Sequence, residues 1–137
     1  MKKTIIFLLL ITLSCSNNPE DSIEHLNGYW EIDEVILADG TKRDYNFNET
    51  IDFIEIKDDL TGFRKKLKPN FDGTFSTSND AETLRVVIEN DSLNIYYNTK
   101  YAEWKETVLK ASENELILQN QNKFRYVYKR YEPLDLD

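Results

Sequence analysis

The chain has 137 residues, with 25 acids against 17 lysines and arginines, for a formal charge of −8. That balance argues against nucleic acid as a partner, because phosphate contacts need clustered Lys and Arg. With 40% hydrophobic residues and roughly a hundred residues free to fold, a single domain can hold its core without a disulfide.

Lys2 and Lys3 precede an unbroken apolar run, Ile5 to Ile11, followed by Thr12-Leu13-Ser14-Cys15. A membrane-spanning helix needs ~20 apolar residues, so residues 1–14 read as a secretory signal. Cys15 is the single cysteine. Its place directly after the apolar run resembles the lipobox of bacterial lipoproteins, although the leucine stands at Leu13 rather than at Thr12. That resemblance implies a lipidated Cys15 and a membrane partner through that anchor. It also implies the bacterial cell envelope, as an outer-membrane lipoprotein facing the periplasm or the surface. An ordinary secretory signal that leaves a free thiol is the other reading. Losing residues 1–14 removes two lysines and no acid, moving the charge to −10, so acyl chains rather than the protein surface would hold it to an anionic bilayer. Residues 15–25 are polar, carry Pro19 and read as a flexible tether. The folded part is expected at 26–133, with 134–137 as a tail.

The first strand begins at Gly28-Tyr29-Trp30, with Trp30, Ile32, Glu34 and Ile36 on one parity. Residues 38–49 form a long polar connection with a turn at Asp39-Gly40. Ile51, Phe53, Ile54 and Ile56 change phase after Phe53, which suggests a bulge. Phe63, Lys65 and Leu67 share a parity, and Asp72-Gly73 turns into Phe75. From there the alternation is regular: Leu84, Val86 and Ile88; a turn at 90–92; Leu93, Ile95 and Tyr97; then Trp104, Glu106 and Val108. Leu116 and Leu118 follow "SENE", and Phe124, Tyr126, Tyr128 and Arg130 follow "NQNK". Period-two patterning with turns about every ten residues predicts an all-β fold, a single antiparallel up-and-down β-barrel of 8–9 short strands. A two-sheet β-sandwich fits the same pattern. At most one short helical turn is expected, near 23–27 or within 42–49.

Leu26, Gly28 and Trp30 form an "L-x-G-x-W" motif, Asp72 to Phe75 read "DGTF", and Tyr126, Tyr128 and Arg130 read "Y-x-Y-x-R". In this order the motifs resemble the lipocalins, and in particular the lipocalin-like lipoproteins of the Bacteroidetes. The resemblance covers nearly all of the chain after residue 25. It implies that Trp30 plugs one end of the barrel and that a basic residue of the last strand, here Arg130, lies over its ring. Such a contact contributes ~0.5–2 kcal/mol. Gly28 would let the backbone turn tightly into the strand. Gly28, Trp30 and Arg130 are thus the expected barrel closure, and a ligand would enter from the opposite end.

Catalytic patterns are scarce. His25 is the single histidine and sits at the end of the tether; there is no C-x-x-C pair and no Gly-rich phosphate loop. Acidic pairs such as Asp58-Asp59 lack the spacing of a calcium loop. No enzyme activity, cofactor or metal is expected. Strand parity places Glu34, Lys65 and Glu106 inward, where a charge is costly unless paired or wet. A partly polar cavity would account for them, as would bulges that rotate them out. The expected ligand-lining residues are Glu34, Phe75, Tyr97, Trp104, Glu106 and Tyr126. The function read from this pattern is binding of a small, partly apolar molecule inside the barrel. The alternative is a non-enzymatic interaction or inhibitory lipoprotein whose barrel is filled by its own side chains, with no protein partner identifiable.

Overall fold

The computed structural model describes residues 18–133; Cys15, the signal segment and residues 134–137 lie outside the described residues. Much of the segment read as a tether is folded. Pro19–Leu26 form a helix, α1, longer than the single turn expected. Asn18 caps it by accepting from the Glu20 amide at 3.3 Å, Pro19 occupies its first turn, and Glu20 and Asp21 face the positive end of its dipole. Its last residue, Leu26, is fully buried.

Ten strands follow: β1 (Gly28–Ile36), β2 (Lys42–Asp44), β3 (Ile51–Ile56), β4 (Thr61–Pro69), β5 (Phe75–Thr77), β6 (Glu82–Glu89), β7 (Ser92–Asn98), β8 (Glu103–Ala111), β9 (Glu115–Asn120) and β10 (Arg125–Arg130). All pairings are antiparallel, and β10 pairs back onto β1. Eight strands therefore close in the order β1-β3-β4-β6-β7-β8-β9-β10, while β2 and β5 are short additions to β1 and β4. Closure, which leaves no exposed edge on the main path, decides for a barrel over a sandwich.

Local chemistry sets the hairpins. Asn90 and Asp91 both take positive φ, the two-residue loop geometry that suits the twist of paired strands. Three turns reuse one device, an aspartate accepting from the amide two residues on: Asp39 to Thr41, Asp59 to Thr61 and Asp72 to Thr74, at 2.9–3.0 Å. The residue between them has positive φ and is Gly40, Leu60 or Gly73. Leu60 accepts that strained conformation because its side chain packs against the core and its carbonyl receives the Val86 amide at 2.8 Å.

Register assigns the faces. Trp30, Ile32, Ile54, Ile56, Leu84, Val86, Leu93, Ile95, Tyr97, Leu116, Leu118 and Tyr128 form the interior cluster with Leu26 or pack against it. Two sequence expectations change here. The register of β1 on β10 slips between Ile32 and Glu34, so Val35 rather than Glu34 or Ile36 shares the inner face with Tyr126. On β4, Arg64 lies opposite Ile54 and points inward, while Phe63, Lys65 and Leu67 take the outer face. The suggested bulge within β3 is absent: residues 51–56 pair in unbroken register with 67–62. Its phase change arises because both faces are covered, the outer one at Ile51 and the inner one at Ile54 and Ile56.

Helix α1 and the turns at 57–60, 90–91 and 112–114 gather at one end of the barrel, as the Asn27–Ile56 and Arg130–Glu113 contacts attest. The turns at 99–102 and 121–124 lie at the other end.

Candidate functional site

The two ends differ in how they are finished. At the helix-covered end Trp30 is fully buried, and its indole N–H donates to the Leu26 carbonyl at 2.9 Å. The Arg130 guanidinium lies 3.6 Å from its ring centroid. The same group donates to three carbonyls, Glu113 of the β8–β9 turn at 2.8 Å, and Asn27 at 2.7 Å and His25 at 3.1 Å, two acceptors that the end of α1 leaves open. Gly28, at φ +119°, carries the chain from helix to strand, and a Cβ there would lie 2.7 Å from Arg130 Nη1. This end is sealed by backbone and side chain together over Trp30.

Toward the other end the interior becomes polar. Tyr97 and Trp104, cross-strand neighbours on β7 and β8, stack with ring centroids 5.1 Å apart at 14°. Arg64 reaches in from β4: its Nε donates to Glu82 at 2.6 Å, its Nη1 to the Tyr97 hydroxyl at 3.2 Å and to Glu106 Oε1 at 3.4 Å, and its plane lies 4.3 Å over the Tyr97 ring. Glu106 is buried, and its second oxygen, Oε2, has no hydrogen-bond partner. Burial pushes this carboxyl up from the ordinary range, with Arg64 and, after it, the Trp104 indole pulling it partly back. Asn120, opposite Glu106 across the β8–β9 pair, donates to the Tyr126 hydroxyl at 3.2 Å and caps the adjoining turn. Asp52, also buried, has Oδ1 2.6 Å from Lys66 Nζ, outside hydrogen-bond geometry but close enough for an ion pair.

Of the six residues expected to line a ligand space, the structure brings four together: Tyr97, Trp104, Glu106 and Tyr126. Glu34 sits on the outer face beyond the β1 slip, 3.9 Å from Lys42. Phe75 belongs to β5, outside the closed path, and stacks on the outward-facing Tyr29 at 5.1 Å. Arg64 and Glu82 complete the polar group but escaped sequence reasoning. In "TGFRKKL" the apolar Phe63 and Leu67 claim the core by periodicity, and the one local hint is Gly62, where a Cβ would fall 1.8 Å from the Glu55 carbonyl oxygen.

Among the described residues no group of three or more His, Cys, Asp or Glu side chains is placed to hold a metal. The arrangement can accept a flat apolar surface against Trp104 and Tyr126 and a hydrogen-bond donor at Glu106. It contains no nucleophile set beside a base.

Comparison with protein families agrees with this architecture. Residues 26–118 match the family model described as a lipocalin-like domain. Two solved structures match in shape, at low identity. One is a lipocalin-like protein from Bacteroides uniformis, 14% identical, covering 78% of this chain and 99% of its own, with a TM-score of 0.49. The other is an uncharacterized protein from Bacteroides eggerthii, 12% identical, covering 77% and 99%, also with a TM-score of 0.49. No curated protein matches the chain. With an eight-stranded closed barrel and a family match over most of its folded length, the chain belongs to the lipocalin-like domain family.

Proposed function

We propose that the protein is a lipid-anchored, non-enzymatic component of the bacterial cell envelope that binds a small, partly apolar molecule at the barrel end away from Trp30. The observation that carries this reading is the buried, unpartnered Oε2 of Glu106 beside the Tyr97–Trp104 stack. A buried acceptor without a donor costs roughly 1–3 kcal/mol, so a ligand that supplies the donor recovers that cost on binding. Apolar walls with a few placed polar groups are the usual make-up of such sites. Lipidation of Cys15 supplies the anchor. Because α1 starts at Pro19 and covers the Trp30 end, attachment there turns the opposite end toward water.

Native mass spectrometry of protein released from its own membrane tests the binding claim. A retained small molecule, lost in Glu106→Ala, is expected; chains carrying no small molecule would sink it. For the anchor, Cys15→Ser should move the protein from the membrane to the soluble fraction, and unchanged fractionation would count against lipidation. A second reading, an interaction module with a filled barrel, draws on Arg64 occupying interior space between Glu82 and Glu106. A co-purified protein in place of a small molecule would favour it.

A further inference from the structure

A concavity of about 860 Å³ runs over the barrel rim, taking in Leu84, Tyr97 and Trp104 of the interior and, on the outside, a groove. Two cross-strand rows on the outer face of β4, β6, β7 and β8 build it. One row runs Thr61, Arg85, Tyr96, Lys105, and the other Phe63, Thr83, Asn98, Glu103. Lys57, from the β3–β4 turn, joins at the edge.

The charge of this groove runs against that of the chain. Three cations, Lys57, Arg85 and Lys105, face one acid, Glu103, in a protein of net −8. Among the described residues none of the three has a carboxylate within 4.0 Å, although other lysines and arginines find such partners. Glu89, whose charge is felt by Lys105 and Arg85, and Asp59, felt by Lys57, stay beyond ion-pair distance; Glu89 accepts from the Tyr96 hydroxyl and from Asn94 at 3.1 Å, and Asp59 from Thr61. Glu103 is likewise held by Asn98 at 2.8 Å. Arg85 lies 4.3 Å over the Tyr96 ring, which fixes a flat, cationic surface in the middle of the groove. Phe63 adds a second ring, and Thr61, Thr83 and Asn98 add hydroxyl and amide groups. Across four strands the two rows span roughly 14 Å, more than an inorganic anion requires.

We propose that this outer groove binds an acidic oligosaccharide: anionic groups on Lys57, Arg85 and Lys105, ring faces on Phe63 and the Tyr96–Arg85 pair, hydroxyls on Thr83 and Asn98. The cationic rows lie on the outer face, while the concavity they border continues over the rim to Tyr97 and Trp104.

The test is titration of isotope-labelled, detergent-solubilised full chain with trigalacturonate and, in parallel, with neutral galactotriose, followed by amide shifts. Trigalacturonate should shift residues 83–85 and 96–98 and bind about tenfold or more tightly than galactotriose, with affinity falling as salt rises. The double reversal Lys57→Glu, Lys105→Glu should weaken trigalacturonate about tenfold or more while keeping a dispersed spectrum, since both side chains are without ion-pair partners. Glu106→Gln, inside the barrel, should leave its affinity unchanged. Absent shifts, shifts confined to another face, equal affinity for the neutral sugar, or indifference to the double reversal would each overturn the assignment.

Discussion

Replacing Trp30 by alanine empties the sealed end of the barrel, and the structure sets the scale of the loss. The indole is fully buried, and removing a buried large aromatic typically costs about 3–5 kcal/mol in lost transfer energy and residual cavity. The Nε1–H bond to Leu26 adds about 1 kcal/mol, because its carbonyl then has no replacement donor in an apolar setting. Arg130 loses the ring 3.6 Å beneath it, a further loss of about 1 kcal/mol for a contact this well shielded. These contributions overlap, and a total of about 4–6 kcal/mol is expected, comparable with the whole stability of many domains of this size. At about 4 °C or more per kcal/mol, the melting temperature should fall by roughly 20 °C. Circular dichroism melts and urea titrations followed by the remaining Trp104 would measure it. Trp30→Phe, which keeps a ring and loses the N–H, should cost only about 1–2 kcal/mol. A Trp30→Ala variant that melts within a degree or two of the parent would refute the role of this residue as a structural plug.

Gly28→Ala should cost about 1–2 kcal/mol from the +119° φ alone, and more because its Cβ pushes Arg130 off the Asn27 carbonyl. In an Arg130→Met background only the backbone part should remain, so a double-mutant cycle that proves additive would show that the two residues do not meet as described. Gly62→Ala drives a Cβ to 1.8 Å from the Glu55 carbonyl, a clash with backbone that cannot swing aside; no cooperative unfolding transition is expected, and a native-like melt would contradict the tight β3–β4 approach. Glu106 carries a raised pKa in the fold, so its contribution to stability is full below the unfolded carboxylate range and is lost as pH rises through the folded value. The melting temperature of Glu106→Gln relative to the parent should therefore climb as pH rises above the ordinary carboxylate range. Asp39, Asp59 and Asp72, whose turn hydrogen bonds hold them below the usual range, lose their stabilising effect as pH falls, and they do so equally in both proteins. A pH-independent gap would show that Glu106 is not titrating in a buried site.

The chain from β6 onward was legible because each strand there keeps one apolar face and ends in a turn of recognisable chemistry. Asn90-Asp91 could only be a tight hairpin, and Leu93, Ile95 and Tyr97 point the way that their spacing says. Alternation is a count, however, and a slipped residue resets the count without a signature of its own. That is how Glu34 left the interior and Val35 entered it. A second cause lies outside the barrel. Tyr29, Phe53, Phe63, Phe75 and Tyr131 form a chain of ring contacts 4.8–6.1 Å apart on the outer surface. With an apolar cluster on each side of β4, hydrophobicity no longer identifies the inner face, so Phe63 and Phe75 read as core-facing and Arg64 went unnoticed. Charged residues with inward parity did point to a polar interior, and Glu106 is part of one; the partners that make it tenable, Arg64 and Glu82, come from strands whose periodicity conceals them.

The arginine over the sealed end also fixes the order in which the molecule can be completed. Its donors reach carbonyls 103 and 105 positions earlier in the chain, so the first folded residues receive their final hydrogen bonds from nearly the last. During synthesis, α1 and β1 must wait, with Trp30 lacking its cover and β1 lacking its β10 partner, until β10 has emerged. Contacts of such sequence separation form late and slow folding. A chain cut short before Arg130 would thus be recognisably unfinished, carrying an open edge that β10 should cover and that invites pairing with other chains.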